Sequence, residues 1–263
     1  TLDGVYRSDD GGERWKLASE GVGKAFIQGL AVSSIGDRIY AGGRLGIYLS
    51  EDGGATWHWL EEGTGGIAVF NVVIDPQDED RIYAGSWGHN VLRSTDGGRT
   101  WAPIHHGLET LSVHAFAVDP SDSQRLYAGT VEALYRSTDG GESWKASPPT
   151  ERPLTTFALA VDPVDPAVVY AGTTEGIYRS SDHGQTWQAL GHESLDVTVM
   201  ALVLNPYDRP TVYAGTEHHG PFLSTDGGEH WRPWGLEGTS IYSILVDRSG
   251  VIWLGTDQGI FKR

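Results

Sequence analysis

An eight-residue segment recurs six times along this chain at nearly constant spacing, and that recurrence limits what the chain can fold into. The copies are SDDGGERW from Ser8, SEDGGATW from Ser50, STDGGRTW from Ser94, STDGGESW from Ser137, SSDHGQTW from Ser180 and STDGGEHW from Ser224. Their tryptophans fall at 15, 57, 101, 144, 187 and 231, in steps of 42, 44, 43, 43 and 44 residues. Between them runs a second shared pattern, as in FALAVDPVDPAVVYAGTTEGIYRS: an apolar run ending in Asp-Pro, a polar turn, a VYAGT-like run, another turn and a GIYRS-like run. Each run is short, rich in β-branched and aromatic residues, and bounded by Gly, Pro or Asp, so each reads as a strand. With the stretch that starts at each Trp, one period holds four strands.

A four-stranded unit repeated at this period predicts an all-β fold, a β-propeller of four-stranded antiparallel blades, in which each blade buries its faces against its neighbours. No single blade is expected to be stable alone. The GIYRS-type strand occurs seven times and the other three types six times each. The chain therefore contains five whole blades from Phe26 to about Trp234, a leading half blade and three trailing strands. The expectation is one propeller domain over residues 1–263, closed by pairing of strands in 1–18 with strands in 241–263. Six blades are favoured, and seven would mean that upstream residues belong to the parent.

Composition narrows function more than fold. The formal net charge of -16, with no basic cluster, argues against a nucleic-acid partner, which would have to be held by Lys and Arg. The chain has no cysteine, which excludes disulfides and thiol catalysis and leaves the redox compartment open. No apolar run approaches the length of about 18 residues that a membrane helix needs, and no signal peptide is visible. Because the first residue is Thr1, an extracytoplasmic location, periplasmic or secreted, with the targeting segment removed, is the expectation.

The recurring turn has a local explanation. Its Asp (Asp10, Asp52, Asp96, Asp139, Asp182, Asp226) is placed to accept hydrogen bonds from N–H groups two or three residues on, and the Gly that follows supplies a positive φ. Its Trp (Trp15, Trp57, Trp101, Trp144, Trp187, Trp231) is expected to pack between blades. The segment is thus a structural clip between the third and fourth strands. The pattern S-x-D-x-G-x-T-W resembles the Asp-box, or bacterial neuraminidase repeat, over essentially the whole chain. Propellers carrying this box include sialidases, xyloglucanases, sorting receptors and photosystem II assembly factors, so the resemblance implies a fold and leaves the activity to the site.

In an up-and-down blade the loops between second and third strands share one face with the connections between blades, opposite the Asp-box turns. On that face, departures from the repeat mark candidate binding residues. Trp87, His89 and Asn90 interrupt the short Gly-x-x-Gly pattern, as do Glu217, His218 and His219. His105, His106 and His192 lie in blade connections, and Glu132 and Glu175 occupy matching loop positions. The competing reading for each is a solvated loop tip. A metal site built on His218 and His219 is chemically allowed, but no spacing matches a recognised ligand set, so neither a metal nor a cofactor is expected.

Enzyme chemistry fits less well. The resemblance to sialidases implies a carboxylate-binding arginine triad and an Arg-Ile-Pro sequence, and the latter is absent. Arg7, Arg93, Arg136 and Arg179 recur at one strand position, which marks them as blade-surface residues, and only Arg44 and Arg152 fall in the site-face loops. A glycoside hydrolase needs two carboxylates across a cleft; Glu132, Glu175, Glu217 and Asp257 are available, but acids at equivalent loop positions are what duplication alone yields. Trp59, Trp87 and Trp234 lie outside the box positions and suit contacts, sugar stacking or core filling. The favoured function is a non-catalytic protein-binding or assembly scaffold, similar in its run of boxes to the photosystem assembly factors. Its partner would be a protein with a basic or apolar contact surface. The alternative is a carbohydrate-active protein, either a glycoside hydrolase or a lectin-like glycan binder.

Overall fold

The computed structural model describes residues 3–34, 36–109, 112–191 and 195–263. Among the described residues every regular element is a strand, and each sheet is an antiparallel meander of propeller-blade type. A two-stranded sheet comes first, β1 (Tyr6–Arg7) with β2 (Lys16–Leu17). Two four-stranded blades follow: β3 (Ile27–Val32), β4 (Ile39–Gly43), β5 (Gly46–Ser50) and β6 (His58–Trp59), then β7 (Val69–Asp75), β8 (Asp78–Ser86), β9 (Val91–Ser94) and β10 (Ala102–Pro103). The next is β11 (Val113–Val118), β12 (Leu126–Thr130), β13 (Leu134–Ser137) and β14 (Lys145–Ala146). Two more are β15 (Thr156–Val161), β16 (Val169–Thr173), β17 (Gly176–Ser180) and β18 (Gln188–Leu190), and β19 (Val199–Leu204), β20 (Val212–Thr216), β21 (Pro221–Ser224) and β22 (Arg232–Pro233). A three-stranded sheet, β23 (Ile241–Val246), β24 (Ile252–Thr256) and β25 (Gly259–Lys262), ends the chain. Five whole blades, a half and three strands are what the strand types predict.

The contacts divide the chain into two compact units, one of residues 1–126 with 137–144 and the other of 127–136 with 145–263. In the first, Tyr40, Ile47 and Leu49 of one blade pack with Val69, Val72, Ile82 and Ala84 of the next. In the second, Tyr170 and Ile177 pack in the same way with Val199, Leu202, Val212 and Ala214. Second strands lie in mid-sheet with both faces covered, which is why VYAGT is a continuous apolar run instead of an alternating one. The glycine in that run is a spacing device. A Cβ on Gly42 would stand 2.7 Å from Val69 Cγ1, and one on Gly172 2.8 Å from Val199 Cγ1, so the next blade can seat only against a bare backbone.

The box turns fold alike in both units. In the second copy, Ser50 Oγ donates to Asp52 Oδ1 (2.8 Å) and accepts from the N–H groups of Asp52 (3.4 Å) and Gly54 (2.8 Å). Asp52 Oδ1 in turn accepts from the N–H groups of Ala55 and Thr56, and Oδ2 from the Thr56 hydroxyl at 2.7 Å. The carboxylate thus reaches three and four residues on, one further than expected, because Gly53 and Gly54 both take positive φ and curl the chain back over the Asp. These bonds hold the carboxyls below their ordinary range. The Thr100 hydroxyl, then its N–H and the Ser94 hydroxyl, hold Asp96 at about 2, and the His230 N–H leads the same effect on Asp226, also about 2.

The tryptophans divide. Trp57, Trp144 and Trp231 are buried as expected, whereas Trp101 and Trp187 are half-buried and Trp15 is exposed. Trp57 donates its indole N–H to Ala18 O (2.8 Å) and Trp144 to Ile104 O (2.9 Å), tying each blade's last strand to the preceding connection. The repeated arginines grip forward: Arg7 donates to Gly53 O (3.0 Å), Arg93 to Gly140 O (2.9 Å) and Glu142 (3.0 Å), and Arg179 to Glu229 (3.2 Å). Each reaches the box of the following blade, so these arginines are inter-blade ties.

Candidate interaction face

In the first unit, the longest of the second-to-third-strand loops builds a site. The segment Trp87–Asn90 turns through Gly88 (φ 80°) and Asn90 (φ 57°), and the Trp87 N–H donates to Ala68 O at 2.8 Å. A bridge to Ser112 sets the Trp87 backbone across the start of β11. Its indole remains 65% exposed. Beneath it stands Phe70, with ring centroids 5.9 Å apart, and Phe70 stacks on His114 at 4.8 Å and 13° between planes. Phe70 sits where the β7–β8 register slips between Val69 and Asn71, and such a bulge re-aims a side chain that a regular strand would turn elsewhere. Burial pushes the His114 imidazole below its ordinary pKa. The three rings form a continuous aromatic step with an indole at its outer edge.

The other candidates in this unit lie apart from that step. His89 is exposed and its Nδ1 is 3.4 Å from Trp87 O. Asn90 is buried: its carbonyl accepts from Ser86 N–H (2.9 Å) and Oγ (3.0 Å), which makes it the residue that closes the turn. His105 and His106 have exposed rings, while their carbonyls accept from Leu108 and Trp144 N–H, so the backbone there serves the blade connection. Trp59 is exposed on β6.

In the second unit the polar candidates are engaged with one another. Glu175 pairs with Arg152, and Glu132 is exposed while its carbonyl accepts from Leu154 N–H at 3.1 Å. The Ser240 hydroxyl accepts the His218 N–H (3.1 Å) and lies 2.9 Å from His218 Nδ1, and Ser240 N–H donates to Asp257 Oδ1 (3.2 Å). Because Ser240 is buried and Asp257 bonds its backbone, this group fixes a loop and does not form a nucleophile with a base relay. His219 Nδ1 contacts Glu217 O at 2.7 Å. Trp234 is half-buried, with Tyr213 at 5.1 Å and the Arg263 guanidinium 4.4 Å above its ring, which fits core filling. A hollow of about 240 Å³ lies on the box side instead, lined by Tyr170, Arg179 and Asp226 and bordered by the Arg209–Asp162 pair (2.5 Å). Among the described residues no three His, Asp or Glu side chains gather closely enough to hold a metal. His192 lies outside the described residues.

Sequence reasoning found Trp87 and missed Phe70 and His114. The available signal was the second position of each first strand, occupied by Gln28, Phe70, His114, Phe157, Met200 and Tyr242, an irregular column in otherwise uniform apolar runs.

The family model of the photosynthesis system II assembly factor YCF48 matches residues 67–259, well over half of the chain. The chain belongs to that family. Phe70, Trp87 and His114 all fall inside the matched residues, whereas β1 to β6 precede them. The fold of this YCF48-family chain is shared with solved propellers. It is 16% identical to YCF48 bound to D1 peptide, with a TM-score of 0.74, covering 98% of this chain and 84% of that one. It is 22% identical to the GH74 xyloglucanase from Xanthomonas campestris, with a TM-score of 0.67 over 86% of this chain and 42% of the enzyme. The extracellular domain of a one-component system from B. thetaiotaomicron gives a TM-score of 0.80 at 16% identity, over 99% of this chain and 36% of that one. The chain thus spans less than half the length of the latter two. None of the curated proteins compared with it matches. The fold is a β-propeller, and among the described residues no helix is long and apolar enough to cross a membrane.

Proposed function

We propose that this YCF48-family chain is a non-catalytic protein-binding module, and that Trp87, Phe70 and His114 receive an apolar segment of its partner. The observation that carries this reading is the three-ring step, with its indole left 65% exposed. Exposed aromatic surface on a rigid scaffold supplies contact area at little entropic cost, and Trp and Tyr are over-represented among residues that dominate binding energy. The solved complex of YCF48 with D1 peptide supports a polypeptide ligand. The acidic net charge of -16 favours a segment that is apolar or basic.

Fluorescence anisotropy with labelled D1 peptide tests the reading. Saturable binding is expected, weakened about tenfold or more by Trp87→Ala and unchanged by Val164→Ala on another blade. Binding that Trp87→Ala leaves intact overturns the site, and failure to bind overturns the peptide class. A glycan reading is favoured by the same exposed indole, since sugar rings stack on Trp, and by the likeness to a xyloglucanase. Xyloglucan oligosaccharide in place of the peptide tests it: retention lost on Trp87→Ala would move the assignment to carbohydrate.

A further inference from the structure

We infer that the hollow between the blade β15–β18 and the blade β19–β22 is a binding site for an arginine residue presented by a partner polypeptide, its guanidinium at Asp165 and its backbone carbonyl at the Nε–H of Arg179. The site lies within the second unit and does not rest on the Trp87 reading.

The repeats show what these turns hold elsewhere. In two earlier blades an arginine six residues after the Asp of the Asp-Pro turn clamps that turn's own carboxylates: Arg81 pairs with Asp75 (3.2 Å) and Asp78 (3.3 Å), and Arg125 with Asp119 (3.2 Å) and Asp122 (3.3 Å). The later turn keeps the backbone and loses the cation. Asp162 N–H donates to Val168 O (2.9 Å) as Asp119 N–H does to Arg125 O (3.0 Å), so Val168 stands at the arginine position. Asp162 regains a partner in Arg209 of the following blade, at 2.5 Å. Asp165, the counterpart of Asp78 and Asp122, lines the hollow with no cation paired to its carboxylate among the described residues.

An unused donor lines the same hollow. Arg93 of an earlier blade donates to Gly140 O at 2.9 Å, while the Tyr83 hydroxyl there is buried without a partner. In the later blade the roles are exchanged: the Tyr170 hydroxyl takes the matching carbonyl, Gly227 O, at 2.9 Å, and Arg179 pairs with Glu229 but keeps a buried Nε–H with no acceptor. An occupant that brings an acceptor gains by satisfying it. The hollow's volume of about 240 Å³ is far more than the roughly 10–15 Å³ that one water needs. Its lining sets Asp162, Asp165 and Asp226 against Arg179 and Arg209, which leaves negative charge in surplus for a cation, and Pro163, Val168 and Pro206 give apolar wall for a methylene stem. An arginine residue of a polypeptide meets all of this at once, with a planar cation of the kind that the sibling carboxylates already hold, an apolar stem and a carbonyl acceptor.

Titration of the full chain with N-acetyl-arginine N-methylamide, followed by proton–nitrogen NMR, tests the site. Expected are saturable shifts at millimolar ligand in the Asp165 and Val168 amides and in the Arg179 Nε–H resonance, with the blocked citrulline, a neutral isostere, about tenfold weaker or worse. Asp165→Asn, a change at an exposed position, should weaken binding about tenfold or more. Val168→Arg, which restores the arginine of the sibling blades, should abolish it by filling the hollow from within. Absence of shifts, or binding undiminished in Asp165→Asn, overturns the site whether or not Val168→Arg folds. Free arginine binding more tightly than the blocked residue would assign the hollow to the amino acid and overturn the polypeptide as its source.

Discussion

The first and second box turns are nearly the same sequence in different surroundings. Ser8 Oγ donates to Asp10 Oδ1 (2.9 Å) and accepts the Gly12 N–H (2.8 Å), matching the Ser50 bonds to Asp52 and Gly54 within 0.1 Å. The tryptophans that follow differ sharply: Trp57 is 3% exposed and Trp15 41%. Trp57 is enclosed by Val5, Val22 and Ala25 of the half blade before it, together with Ile27, Ala41 and Tyr48 of its own blade. The turn is therefore specified by its own eight residues, whereas the burial of its Trp depends on a neighbour. Local hydrogen bonding and inter-blade packing are separable links in this fold.

Acid should produce the largest effect, because it strikes every box at once. A carboxyl whose pKa is lowered in the folded state stabilises fully above the ordinary value of 3.8 and loses that contribution as pH falls through the folded value, about 2 for Asp96 and Asp226. The midpoint of urea unfolding should thus be insensitive to these groups near neutrality and fall between about pH 4 and 2. A midpoint that drops mainly above pH 5 would mean that other groups govern.

Next in size is the packing half of the comparison. Trp57→Ala should destabilise by about 3–5 kcal/mol in urea unfolding, and Trp15→Ala by less than about 1 kcal/mol. Equal losses would show that Trp15 is covered in solution. Ser50→Ala leaves the buried Gly54 N–H without its acceptor and should cost about 1–3 kcal/mol, with a smaller loss for Ser8→Ala in its wetter turn. The smallest contrast lies between two second-strand tyrosines. The Tyr40 hydroxyl donates to Gly97 O at 3.0 Å, while the Tyr83 hydroxyl is buried without a hydrogen-bond partner. Tyr40→Phe should cost about 0.5–1.5 kcal/mol, and Tyr83→Phe should be neutral or stabilising, both read from the same unfolding midpoints.

The box, its period and the strand count were legible because each depends on residues within a few positions of one another. Asp52 meets Thr56 four residues away, so the motif carries its own geometry in the sequence. Phe70 and His114 touch across two blades, and nothing in either local run marks them as a pair. The Asn90 turn was visible as an irregularity, but its burial was not, since that depends on the β8–β9 loop closing over it. Trp15 was misplaced for the same reason: its motif is complete, but burial needs neighbours of the kind that enclose Trp57, and the motif does not encode them.

The forward reach of Arg7, Arg93 and Arg179 has a consequence for how such a chain grows. Each of these three modules carries the hook for its successor, whereas the blades with Leu49 and Leu223 at that position do without it. A duplicated stretch of gene that includes the hook therefore arrives with this connector correctly oriented, so modules can be gained or lost in tandem without redesign of either flank. One module's loops can then diverge, as the sequence of residues 87–90 diverges from the repeat, while the couplings at the box turns stay the same.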